Sequence, residues 1–172
     1  MSAQSDPFRL LEPKGKDISV KGDSNEHRAV ATLLERGYNA SLVDLKNSKY
    51  DIVIEVSSTE FLRLQVKTAD SGSISLIGGV RGGRGAIHSD AMKYWYTPEI
   101  CDCLVGVVSD RNNGGDTIDF YFVPTLWIEN VFQQSIAVKK IQFTKNNFEL
   151  LELCRNGEYV NQLFNDVKVK MK

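Results

Sequence analysis

The sequence predicts an α/β domain: a central mixed sheet of about four or five strands, flanked by an N-terminal and a C-terminal helix. Three observations carry this. Over residues 24–37, Ala29, Val30, Leu33 and Leu34 recur at helical spacing. Residues 51–56 and 61–67 alternate apolar and polar side chains across a short polar link, the pattern of a β-hairpin. Leu104 to Val108 and Ile118 to Val123 are two further apolar runs, with Asn112-Asn113-Gly114-Gly115-Asp116 as their turn.

In chain order, residues 1–21 are polar, carry two prolines and read as a flexible arm, leaving 22–172 as a single domain. Asp23 or Ser24 suits the N-cap of the first helix and Gly37 its stop. A strand is expected near 38–43 and a loop from Asp44 to Ser48. After the hairpin, Ser73 to Ile77 reads as a third strand, followed by a glycine-rich basic loop over 78–85. Leu126 to Phe132 reads as a short helix and Val138 to Phe143 as a strand. Asn147 to Cys154 reads as helix, extending toward Phe164 with Gly157 as an interruption.

Composition narrows the function classes. With 42% hydrophobic and 25% charged residues, the 172-residue chain is unlike a disordered or fibrous protein. No apolar run reaches membrane-span length. A net charge of −1 argues against coating nucleic acid by bulk charge, although local basic clusters remain effective. Three cysteines do not make a disulfide framework, so a cytoplasmic setting is expected. Cys101, Cys103 and Cys154 lack zinc spacing and read as packing residues.

Strand alternation places Ile52, Ile54, Val56, Leu62, Leu64 and Val66 on the core face of the hairpin. One register then pairs Ile52 with Val66 and Ile54 with Leu64, setting Asp51 opposite Lys67 and Val53 opposite Gln65. Asp51, Gln65 and Lys67 converge at one end, on the face away from the core. Glu26 precedes Val30 by four and Leu33 by seven, which puts a carboxylate on the apolar stripe of its helix, where it can reach the same end.

Glu26, Tyr50-Asp51 and Gln65-Val66-Lys67-Thr68, in the order helix, strand, strand, resemble the PD-(D/E)xK nuclease superfamily. Tyr50 stands where that signature has proline, and Gln65 where it has a second acid. The Gln-Val-Lys form is similar to a variant found in an intron-encoded homing endonuclease and related bacterial members. The resemblance implies a restriction-endonuclease-like core and a Mg²⁺-dependent endodeoxyribonuclease, with Mn²⁺ able to substitute. It implies metal ligation by Asp51, the Gln65 amide oxygen, the Val66 backbone carbonyl and Glu26. Lys67 would orient or deprotonate the attacking water. Double-stranded DNA is the implied substrate, and a homodimer or higher homo-oligomer the implied state, since one site cuts one strand. The alternative is a catalytically inactive DNA-binding or protein-interaction module on the same fold.

Other readings stand beside these. Asp23 and Glu26 fit a capping box, and Asp51 with Lys67 fits a cross-strand ion pair. Arg81, Arg84, His88 and Lys93 are candidate DNA contacts, or part of a mobile connector. His27 is expected to be exposed. Tyr94-Trp95-Tyr96 reads as core or interface before it reads as a base-stacking platform.

Overall fold

The computed structural model describes residues 14–45, 48–69, 71–79, 93–109 and 117–169. Helix α1 (Lys14–Glu35) leads into β1 (Asn39–Leu42), β2 (Ile52–Ser57) and β3 (Glu60–Thr68). Three short strands follow: β4 (Ser73–Ser75), β5 (Ile77–Gly78) and β6 (Tyr94–Trp95). Then come β7 (Cys103–Ser109), β8 (Ile118–Pro124), α2 (Thr125–Ile128), β9 (Ser135–Ala137), α3 (Phe148–Glu152) and α4 (Gly157–Phe164).

The central sheet has five strands in the order β1-β2-β3-β7-β8. Every neighbour pair is antiparallel except β3 and β7, which run parallel. A parallel pair cannot be joined by a tight turn, so the chain between β3 and β7 must cross over the sheet. This is the mixed α/β architecture expected.

One face of the sheet carries Ile52, Ile54, Leu62, Leu64, Val66, Val105 and Phe122, all buried. Ala29 and Leu33 of α1 lie against Val105, Phe120, Phe122 and Phe148 on that side. The other face is also covered at its centre. Ile74 and Leu76, from the crossover, are fully buried. Gly106 makes room for this: a Cβ there would stand 2.3 Å from the Ile74 Cδ1.

Several expectations change. Residues 14–21 belong to α1 rather than to an arm, so Asp23 lies inside the helix and the capping-box reading of Glu26 falls. The buried stripe of α1 is Asn25, Ala29 and Leu33; Leu34 is exposed and Glu26 flanks the stripe. Gly37 does end the helix, at φ +87°, with Tyr38 N–H donating to Leu33 O at 3.0 Å. The hairpin register is shifted by two, pairing Ile52 with Leu64 and Ile54 with Leu62. A two-residue shift keeps every side chain on its face, so alternation alone permits it; the irregular tip between Glu55 and Ser57 decides. Val56, at that tip, is exposed.

The expected third strand divides into β4 and β5, which pair with β9 and β6 outside the central sheet. Residues Val138–Lys140 and Gln142–Thr144 form 3₁₀ turns instead of a strand. Val138 and Ile141 are three apart, which suits a 3₁₀ period and not alternation. The expected C-terminal helix divides into α3 and α4, and Asn156 caps α4 by accepting from Tyr159 N–H at 3.1 Å. Among the described residues, no helix is long and apolar enough to cross a membrane.

Candidate active site

The site forms where one strand outruns another. β2 begins at Ile52, opposite Leu64, whereas β3 continues to Thr68 while still pairing with β7. Asp51 N–H closes the last rung on Leu64 O at 2.8 Å. Beyond it, no residue of β2 pairs with β3. The Asp51 carboxylate fills the gap, with Oδ2 accepting from Val66 N–H at 2.7 Å. The Gln65 amide nitrogen donates to the same Asp51 oxygen, and to Val66 O at 3.3 Å. Ser48 Oγ donates to Tyr50 O at 2.6 Å, a local turn that sets the approach to Asp51 without a proline.

Lys67, paired with Gly106 in register, rises on the crossover face. Its Nζ donates to the Tyr96 hydroxyl at 2.8 Å rather than to Asp51, so the expected cross-strand ion pair is not made. Asn25 docks α1 on the end of β3: its Nδ2 donates to Thr68 Oγ1 at 2.9 Å, while its buried Oδ1 has no hydrogen-bond partner among the described residues. That docking sets Glu26, the next residue, within electrostatic reach of both Asp51 and Lys67.

Burial pushes the Glu26 carboxyl up from its ordinary 4.5 to about 7, and the Asp51 and Asp23 charges push the same way. Burial also raises Asp51, against the Val66 hydrogen bond and the Lys67 charge. Burial lowers Lys67, against the Asp51 charge. Two carboxylates thus stand together short of positive charge. Among the described residues, no three His, Cys, Asp or Glu side chains cluster as a metal centre. The donors present are two carboxylates, an amide that can turn its oxygen inward, and the Val66 carbonyl. All are hard oxygens, which suit Mg²⁺ because that ion keeps several waters and needs few protein ligands.

The structure therefore brings Asp51, Gln65, Val66 and Lys67 together, with Glu26 beside them. Lys93 is exposed, immediately before β6. Arg81, Arg84 and His88 lie outside the described residues. His27 is exposed, and Cys101, Cys103 and Cys154 are buried as free thiols. Sequence reasoning missed Asn25 and Tyr96. The signal for Asn25 was a polar residue four before Ala29 on the buried stripe; Tyr96 gave none beyond its aromatic company.

A mixed five-stranded sheet, with a carboxylate, an amide and a lysine gathered at a strand overhang, defines a nuclease-like α/β core. The sequence profile described as PD-(D/E)XK endonuclease matches residues 17–140, and the chain belongs to that family. Among solved structures, the chain is similar to a bacterial homing endonuclease, I-Ssp6803I, with a TM-score of 0.58 and 17% identity. The match covers 82% of this chain and 95% of that one, and at this identity it shows the fold. Curated protein sequences give no match.

Proposed function

We propose that the chain is a Mg²⁺-dependent endonuclease that hydrolyses phosphodiester bonds in double-stranded DNA, with Mn²⁺ able to substitute. The observation that carries this reading is the convergence of the Asp51 carboxylate, the Gln65 amide and the Val66 carbonyl beside the Lys67 ammonium. Asp51, Gln65, Val66 and Glu26 would hold the cation. When bound, the cation supplies an activated water and charge stabilisation at phosphorus. Lys67 donates hydrogen bonds that orient the attacking water and offset phosphate charge. Gln65 in place of an acid removes one negative charge, which weakens cation binding without removing an oxygen donor. Lys93, with Arg81, Arg84 and His88, would contact the DNA backbone. The three free thiols support a reducing, cytoplasmic setting.

A homodimer would set one site on each strand, and light scattering on the purified protein measures that state. The central test is nicking of supercoiled plasmid with Mg²⁺, Mn²⁺ or chelator. Wild type should nick with either metal and stop with chelator. Asp51→Ala and Lys67→Ala should lose nicking while their circular dichroism stays native. DNA binding with no nicking under either metal would overturn the reading in favour of a non-catalytic module.

A further inference from the structure

We propose that Tyr96 is a positioning residue for Lys67, fixing its ammonium at the overhang of β3; this deepens the nuclease reading and rests on it for its functional meaning. A lysine stem carries about 2 kcal/mol of rotamer entropy, so a lysine placed for chemistry needs an anchor. Here the anchor is the Tyr96 hydroxyl, 2.8 Å from Nζ, with the ring centroid 4.8 Å away. The tyrosine is itself packed in: it is 2% exposed, and Tyr94 meets it edge-on at 5.4 Å. Tyr94 in turn lies over Gly78, where a Cβ would stand 2.3 Å from its ring. Gly78 and Tyr94 are paired across β5 and β6, so a two-residue ladder sets the whole stack.

The chemistry of the anchor matters as much as its rigidity. An ammonium has three donors. A phenol oxygen accepts one and brings no charge, which leaves two donors and the full positive charge for a water and a phosphate oxygen. A carboxylate in the same place would have neutralised the lysine.

The test is Tyr96→Phe, which removes one buried hydroxyl and keeps the ring. Four quantities are measured on wild type and variant: single-turnover nicking at saturating protein, DNA affinity without Mg²⁺, the thermal midpoint, and acetylation of each lysine under limiting reagent. Nicking should slow by about tenfold or more, the effect of a misplaced group, while affinity and midpoint hold. Lys67 should acetylate several-fold faster relative to exposed Lys139. A nicking rate within about twofold of wild type, or a loss that merely follows affinity or midpoint, overturns the proposal. A wild type that never nicks defeats the nuclease reading instead. The labelling then decides the anchoring alone, and an unchanged Lys67 rate overturns it.

Discussion

Two carboxylates at the end of β3 are held at a cost, and that cost has a pH dependence. The Glu26 pKa is raised on folding, from 4.5 to about 7, so the folded state binds more protons than the unfolded state between those values. Stability must then fall as pH rises through that window, and Asp51, also raised, adds to the trend. Urea denaturation of the metal-free protein should show lower stability at pH 8 than at pH 5. Glu26→Gln should flatten the difference. Added Mg²⁺ should restore stability at pH 8 in wild type more than in the variant, because a cation favours the charged carboxylates and its binding releases protons.

At the scale of elements, a buried carboxylate clamps the C-terminal helices to the hairpin. Asp102, 5% exposed, accepts from the Arg63 N–H at 2.7 Å, and from the Arg155 Nε and Nη2 at 3.0 Å each. Arg155 also reaches Glu60 at 3.0 Å. Burial pushes the Asp102 carboxyl up, but hydrogen bonds from Arg155 and Arg63 outweigh it and leave the pKa below the ordinary 3.8. Its stabilisation is therefore present above that value and lost as pH falls through the lowered pKa. Asp102→Ala removes the acceptor that Arg63 and Arg155 share, while Arg63 keeps the Glu99 and Pro98 carbonyls and Arg155 keeps Glu60 and the Phe61 carbonyl, and should cost about 1–3 kcal/mol in chemical denaturation. Gly106→Ala should cost about 1–3 kcal/mol, because Ile74 is fully buried and has nowhere to go.

The same clamp shows what was legible beforehand. Strand alternation put Asp51, Gln65 and Lys67 on a common face, because a period of two is a local property. The register was off by two because the bulge at Glu55 and Ser57 leaves no mark in that period. Asp102 and Arg155 are 53 residues apart, and Lys67 and Tyr96 are 29 apart. Such contacts depend on how elements dock, and no local pattern announces them. The start of α1 was missed because Lys14–Lys21 holds polar residues and Gly15, which hide a helix from an apolar-stripe reading.

For the whole molecule, a net charge of −1 means that any DNA affinity must come from clustered cations. The double change Arg81→Ala with Arg84→Ala should lower the salt slope of log affinity by about 2 if each arginine neutralises one phosphate. Cleavage of already bound DNA should change much less. Fluorescence anisotropy across a salt series, with nicking at saturating protein, measures both. An unchanged slope would mean that these arginines do not touch the backbone.

The parallel pairing of β3 with β7 also bears on the order of assembly. Asp51 and Gln65 belong to one hairpin and can meet as soon as it closes, within microseconds of collapse. β3 meets β7 only when Leu64 finds Cys103, across the whole crossover, and the entropy of that closure must be spent before any rung rewards it. Lys67 meets Gly106 on β7 only at that closure, so stopped-flow refolding should show the β2–β3 hairpin forming before the parallel pair, and simultaneous formation of the two would overturn that order.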